Sequence, residues 1–201
     1  MPRDLTPDLV NTPVLALRSR SRSALGGLLA ALIGVAIVRA VYGAHILPPA
    51  HTGWMLSGRI GPDPVQYWLG YTFFKRTEWS WPPGLNPGWG MELGSSIFYA
   101  DAIPLLAFLF KALDPLVEVA QYWGLWLYAC GALQALLAWH LIGLGTSAML
   151  PRLAGAALFV LQPALLHRLG GHFALGGQFV LLAGLFLCLT RGAGWRRLAA
   201  W

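Results

Sequence analysis

Charged side chains are scarce in this chain: Asp, Glu, Lys and Arg make up 11% of its 201 residues, whereas 57% are hydrophobic. A typical soluble domain carries about 25% charged residues, and it needs more polar surface than this composition supplies. The shortage excludes an ordinary soluble domain and predicts an all-α, polytopic bundle of transmembrane helices. The net charge of +6 is then read by location, because Lys and Arg collect on cytoplasmic loops. It does not indicate a nucleic-acid partner.

Cysteine is equally scarce. Cys130 and Cys188 both lie inside apolar runs, and two lone thiols form neither a disulfide framework nor a metal knuckle. We expect both to pack as small buried hydrophobic side chains. The chain also lacks a convincing small-residue cleavage site after its first apolar run, so that run is predicted to be an uncleaved span and not a signal peptide.

Five apolar runs are candidate spans. About 20 helical residues cross the roughly 30 Å hydrocarbon core of a bilayer, and most of the runs are long enough or nearly so. The weakest is the second, which is short and contains Lys111. The runs cover residues 24–43, the segment AIPLLAFLFKAL, and residues 119–144, 149–166 and 173–190.

Basic residues orient the bundle but leave its span count open. Residues 1–22 form a basic tail predicted to lie in the cytoplasm, since Arg18, Arg20 and Arg22 precede the first run. Five spans would place the basic stretch 191–197 outside, whereas four spans, without the second run, would place it inside. We therefore predict four or five spans in the cytoplasmic (inner) membrane of a bacterium. Residues 23–201 are expected to be the front part of a longer module.

A long external loop, about residues 45–100, separates the first two runs. It contains GPDPVQYWLGYTFFKRTEWSWPPGLNPGWG, which has too many aromatic residues for plain disorder. Asp63 followed by Pro64 predicts a helix start, with the acid as N-cap. The aromatic helix that follows is expected to lie in the membrane interface and to end before Pro82.

Two acids lie where this loop meets the membrane. Asp63 and Asp101 are the candidate catalytic residues, because a carboxylate beside apolar surface gains proton affinity and suits a general base. Two carboxylates are also the ligands that a hard divalent cation prefers, so both are candidate metal ligands. The alternative is structural: each acid caps the helix that follows it.

Four further residues are candidate substrate contacts. Lys75 and Arg76 could bind a donor phosphate or anchor the loop at the interface. Trp81 could stack on a sugar ring or join an aromatic belt. His172 opens the fifth run and shares the side of the acids under the four-span count, which makes it a site candidate. A hydrogen-bonded structural histidine is its alternative.

Three later segments follow the loop sequence: GSSIFYADAIPLLAFLFKAL, QYWGLWLYACGALQALLAWHL and LLHRLGGHFALGGQFVLLAGLFLCL. Together with the loop, they resemble a group of bacterial multi-pass proteins similar to the GT-C class of membrane glycosyltransferases. The resemblance covers nearly everything after residue 25. It implies a cytoplasmic N-terminus and transfer of a sugar from a polyprenyl-phosphate donor to a glycan or lipid acceptor outside the cytoplasm. Asp63 matches the early loop acid of the class and Asp101 a second one. Some members use a divalent metal.

We therefore expect a glycosyltransferase-like membrane protein that contacts the bilayer, the lipid-linked sugar and its acceptor. Two alternatives remain at this point. The chain could be a non-enzymatic membrane protein, such as a transporter, a flippase-like protein or an assembly subunit. It could also be an inactive fragment. A transporter would place polar groups near the bilayer midplane, whereas the polar residues here cluster at the boundary.

Overall fold

A computed structural model describes residues 12–190, with side chains from residue 23 onward. The described part is mostly helical. Its α-helices are α1 Thr12–Tyr42, α2 Gly53–Leu56, α3 Asp63–Arg76, α4 Pro104–Leu113, α5 Trp123–Ile142, α6 Met149–Leu161, α7 Pro163–Leu169 and α8 Phe179–Leu189. Two short strands, β1 Leu85–Asn86 and β2 Ser95–Ser96, pair antiparallel. Turns of 3₁₀ helix cover Ala44–Ile46, Met91–Leu93, Ile97–Tyr99 and Phe173–Gly176.

Two described helices are long and apolar enough to cross a membrane, Ser23–Tyr42 within α1 and Trp123–Ile142 as α5. Each has 20 residues, which is about 30 Å of helix. A third crossing is added if α6 and α7 count as one span bent by 48°. The structure thus confirms the first and third predicted runs, while four or five spans stay a prediction. The side chains of the basic tail 1–22 and the residues 191–201 lie outside the described part.

Small residues hold α1 against α5. A Cβ built on Gly34 would lie 2.1 Å from the carbonyl oxygen of Gly131, so the two backbones touch. Gly26 is similarly covered by the indole of Trp139. Close approach of backbones at small residues is the usual way that membrane helices associate. Cys130 of α5 is buried as predicted, but Cys188 of α8 is exposed, because α8 packs on the bundle along one side only.

Residues 43–122 fold into a cap over one end of the bundle. Gln121 ties its two ends together, because its Nε2 donates to the carbonyl oxygens of Ile46 and Pro48. The strand pair is fixed to α3 by Asn86, whose Nδ2 donates to the Gly70 carbonyl at 2.8 Å. The cap is therefore a structured unit, as the aromatic composition of the loop predicted.

Helix α3 turns its aromatic face inward. Tyr67, Tyr71 and Phe74 are buried, and the Tyr71 ring contacts the rings of Tyr122 and Trp123 edge-on. This face therefore packs on the start of α5, while the expected place of the helix at the membrane interface stays a prediction.

Helix α4, the second apolar run, belongs to the cap. Its ten residues span only about 15 Å. Lys111 is buried, and its Nζ lies 4.1 Å from the ring centroid of Phe74 and 4.7 Å from that of Trp79. Just after α4, Asp114 pairs with Lys75 at the end of α3. These contacts hold the C-terminal end of α4 against α3 and the segment that follows α3, so the run packs as part of the cap.

The capped end of the bundle is where α1, α5 and α7 meet. The Tyr42 hydroxyl of α1 donates to the carbonyl of Leu166 in α7. The Tyr128 hydroxyl of α5 donates to the carbonyl of Gly43. The Trp126 indole donates to the carbonyl of Phe173. These bonds bring the turn after α7, which carries His172, to the same end as the cap.

Candidate functional site

Asp63 opens α3 without capping it. The N-cap position is held by Pro62, and no side chain there accepts a helix N–H. Asp63 lies in the first turn with Pro64 beside it, so the predicted helix start is confirmed while the predicted capping role of Asp63 is wrong. A carboxylate in the first turn is still favoured by the positive end of the helix dipole. Its oxygens remain available for another partner.

That partner is His172. The histidine Nδ1 lies 3.3 Å from Oδ2 of Asp63, with 43% of the His172 side chain and 40% of the Asp63 side chain exposed. The turn that carries the imidazole is fixed by its backbone, since the His172 N–H donates to the Arg168 carbonyl of α7. The structure thus joins two predicted residues that lie far apart in the sequence, and it leaves the other ring nitrogen of His172 outside this contact.

Asp101 completes the cluster from the far end of the cap. Its carboxyl lies beside the Tyr67 hydroxyl, and the charges of His172 and Asp63 act on it. It does not cap α4, whose N-cap is Ile103, so the structural alternative for Asp101 is wrong as well. Asp101 and Ile103 both have positive φ, 48° and 49°. Such backbone is uncommon outside glycine and is found most often at functional sites.

The environment of Asp101 sets its protonation. Burial raises the pKa of the Asp101 carboxyl, and the charge of Asp63 raises it further. The hydrogen bond from Tyr67 and the charge of His172 lower this pKa and so oppose the rise. Burial, followed by the two carboxylates, also raises the pKa of Tyr67, so its hydroxyl keeps its proton. The cluster therefore holds a phenol donor and a carboxyl group that takes up a proton more readily than an exposed aspartate does.

Tyr67 was not predicted as a site residue. It stands four residues after Asp63 on α3, and residues four apart share a helix face. That spacing is the available signal, but Tyr67 also belongs to the buried aromatic face of α3. The approach of Asp101 from the end of the cap adds the second role.

The other predicted contacts lie elsewhere. Lys75 and Arg76 end α3, about 18 Å along the helix from Asp63. Lys75 Nζ is 2.9 Å from Oδ1 of Asp114, and both basic residues line a small cavity of about 270 Å³ together with Glu118. Acids thus surround the predicted phosphate contacts. The structure does not bring Lys75 or Arg76 to the cluster of Asp63, Asp101 and His172.

Trp81 follows this same end of α3. Its side chain is 88% exposed, whereas its neighbour Trp79 stacks on Phe108 of α4. Phe108 in turn contacts Phe74 in the last turn of α3. The segment that carries Trp81 is therefore anchored beside Lys75 and not beside Asp63. A sugar-stacking role for Trp81 in the Asp63 cluster has no geometric support.

Asp63 and Asp101 are also the predicted metal ligands. Among the side chains of residues 23–190, no group of three or more His, Cys, Asp or Glu is placed to hold a metal ion. Asp63 contacts His172, and Asp101 lies beside Tyr67. A role of the two acids as metal ligands stays a prediction.

Asp101→Asn is expected to leave the folded state as stable as, or more stable than, the wild-type protein at pH 7. A carboxyl whose pKa is raised on folding stabilises the fold fully below its unfolded pKa of about 3.9, and that contribution is lost as pH rises through the folded pKa. Asparagine removes the buried charge and still accepts from Tyr67. Thermal unfolding in detergent from pH 4 to 7 measures this.

The advantage of Asp101→Asn should shrink toward pH 4, as the aspartate takes up its proton. Glu92→Gln is the matched control, since Glu92 is an exposed acid of the same cap, and it should track the wild-type protein throughout. A variant at position 101 that loses stability most at pH 7 would show that the ionised carboxylate stabilises the cap.

Comparison with known families gives one match, and it covers most of the chain. Residues 31–201 match the family described as Domain of unknown function (DUF6311), and the chain belongs to that family. Comparisons with curated proteins and with solved structures gave no match. The matched range includes Asp63, Asp101 and His172, so the whole cluster lies within the family domain.

Proposed function

We propose that this chain is a membrane glycosyltransferase that moves a sugar from a polyprenyl-phosphate donor to an acceptor hydroxyl on the non-cytoplasmic face. The observation that carries the proposal is the pairing of His172 with Asp63 beside Asp101 and Tyr67. A carboxylate bound to one imidazole nitrogen orients the ring and leaves the other nitrogen to accept a proton. The resemblance to the GT-C class supports the same reaction.

In this mechanism His172 is the general base. Its Nε2 takes the proton of the acceptor hydroxyl while Asp63 holds Nδ1–H and stabilises the imidazolium that forms. The acceptor oxygen attacks the anomeric carbon, the bond from that carbon to the phosphate oxygen breaks, and the configuration inverts. The departing phosphate keeps the bonding electrons, and the proton on His172 is later released to water.

Asp101 and Tyr67 serve the leaving group. The phosphate gains negative charge as the glycosidic bond breaks, and donors already in place for that charge lower the barrier. The Tyr67 hydroxyl is such a donor, and Asp101 becomes one when it is protonated. Asp63 was predicted from the sequence to be the base itself. Its contact with His172 favours a positioning role instead.

A four-span topology accounts for this arrangement. The crossings would be α1, α5, the bent pair α6–α7, and the segment Phe173–Leu189, with the N-terminus in the cytoplasm of a bacterium. The cap and His172 then share the external side. The hydrogen bonds that join Tyr42, Tyr128 and Trp126 to the capped end support it, as does the inclusion of α4 in the cap.

A transfer assay tests the proposal. The protein, reconstituted in lipid nanodiscs, is given radiolabelled polyprenyl-phosphate hexoses and lipid or glycan acceptors, and labelled product is counted. His172→Gln should lower kcat by about 10²- to 10⁴-fold, the usual range for a general base. Arg76→Gln, at the far end of α3, should stay within about twofold of the wild-type rate. Equal rates for His172→Gln and wild-type protein would refute the assignment.

Transport is the second candidate, and one observation favours it. The bent pair α6–α7 breaks at Gln162, whose Nε2 donates to Oε1 of Gln178 at 3.0 Å. Broken spans with polar groups at the break form the substrate sites of many transporters. Uptake of a labelled lipid-linked sugar or sugar phosphate into proteoliposomes, without formation of a transfer product, would identify this function instead.

A further inference from the structure

A second cavity opens beside the Asp63–His172 pair. It has a volume of about 470 Å³ and lies between the end of α1, the segment that joins α2 to α3, and the end of α7. Its lining includes the basic residues Arg59, His45 and His51 and the apolar residues Val41, Ile46 and Leu169. The cavity therefore combines basic and apolar groups, which suits a ligand with an anionic head and an apolar chain.

Within the part of the chain that the structure describes, no carboxylate neutralises the positive charge of the cavity. None of the described residues that line it is acidic. Within residues 23–190, the carboxylates that form ion pairs bind Lys75 and His172, and none binds Arg59. A guanidinium with free donors beside two imidazoles binds phosphate oxygens well, because the planar fork of arginine matches phosphate geometry.

The two histidines of the cavity, His45 and His51, can assist Arg59 in binding an anion. His51 Nδ1 lies 2.5 Å from the carbonyl oxygen of His45, so this nitrogen carries the proton and donates. The rings of His45 and His51 stand edge-on with centroids 6.0 Å apart. When protonated, each ring adds a positive charge to the lining of the cavity.

The cavity is next to the reactive pair. Ile60 lines it three residues before Asp63, and Gly170 lines it two residues before His172. Two residues of chain reach at most about 7 Å. The walls are in contact there, since a Cβ on Gly171 would lie 3.4 Å from the Ile60 carbonyl oxygen. A phosphate held by Arg59 would thus stand beside the cluster and not at the far end of α3.

We infer that this cavity binds the phosphate of a lipid, with Arg59 as the principal anion contact and the apolar chain in contact with Val41, Ile46 and Leu169. That the lipid is the isoprenoid sugar donor rests on the proposed function, whereas the binding of a lipid phosphate does not. The phosphate contact then falls to Arg59, which sequence patterns did not single out, and not to Lys75 and Arg76.

Binding of farnesyl phosphate to the intact protein in detergent tests the inference. Farnesol and inorganic phosphate are the comparison ligands, and tryptophan fluorescence or calorimetry gives Kd. The wild-type protein should bind farnesyl phosphate at least about tenfold more tightly than either comparison ligand. Arg59→Gln should weaken binding about tenfold or more, since a charge-assisted contact to phosphate is lost, and Arg59→Lys should lose less.

Two control variants separate the alternatives. Arg76→Gln exchanges an exposed arginine of the same cap and should leave Kd unchanged. His172→Gln should bind normally while failing in transfer, so failed chemistry and failed binding give different results. Equal binding by wild-type protein and Arg59→Gln would overturn the inference. So would farnesol binding as tightly as its phosphate, or inorganic phosphate matching the lipid.

Discussion

Gly34→Ala is expected to separate α1 from α5 and to destabilise the folded protein by about 2–3 kcal/mol, the upper part of the range for overpacking. The added methyl would lie 2.1 Å from the Gly131 carbonyl oxygen and 2.6 Å from its carbon. These are backbone atoms of a long helix, so they cannot rotate away as a side chain would. Relief requires the two helices to move apart along their contact.

The loss should be visible by unfolding in detergent followed by circular dichroism. Gly184→Ala is the matched control, because it adds the same methyl to a helical glycine of α8 that has nothing within 4 Å. That variant should be neutral or more stable by up to about 1 kcal/mol, since alanine is the better helix former. If the two variants behave alike, the α1–α5 contact is looser than the structure indicates.

The consequence of a shift in α1 extends to the candidate site. Tyr42 and Gly43, at the end of α1, hydrogen-bond to α7 and α5 respectively. The turn after α7 carries His172. A glycine in the middle of the bundle thus helps to position an imidazole at its end, so Gly34→Ala should disturb the candidate site as well as the stability of the fold.

Hydropathy predicted the two helices that are long and apolar enough to cross a membrane, but it left the place of the second run open. The runs at 24–43 and 119–144 are long and uninterrupted, and length is a local property that the sequence reports well. Helix α4 has the same apolar character. Its assignment to the cap depends on Lys111 between two aromatic rings and on the pair of Lys75 with Asp114, and such tertiary contacts leave no local signal.

The candidate site likewise contains residues that the sequence predicts and residues that only tertiary contacts reveal. Asp63, Asp101 and His172 are predictable because ionisable groups at a membrane boundary are unusual, and the structure brings all three together. The charge of Lys75 and Arg76 also makes them candidates, but the length of α3 carries them away from Asp63. Arg59 has no sequence signal, because an isolated arginine in a loop forms no pattern and its importance depends on the cavity beside it.

Asp63→Asn and His172→Gln are expected to be strongly non-additive in the transfer reaction. If Asp63 acts by holding His172, the histidine variant should lose about 10²- to 10⁴-fold in kcat and the aspartate variant less. The double variant should then be no slower than His172→Gln alone, because residues that act as a unit are not additive. Single-turnover rates for the four proteins, with Arg76→Gln as the reference variant, measure the cycle.

The opposite pattern would support the sequence-based prediction that Asp63 is itself the general base. Losses that multiply would mean that Asp63 and His172 act on different atoms of the substrates. A larger loss for Asp63→Asn than for His172→Gln would make the carboxylate itself the base, since a positioning residue cannot matter more than the residue it positions. The 3.3 Å contact between the two side chains would then serve to orient the carboxylate of Asp63, and the histidine would be its positioning partner.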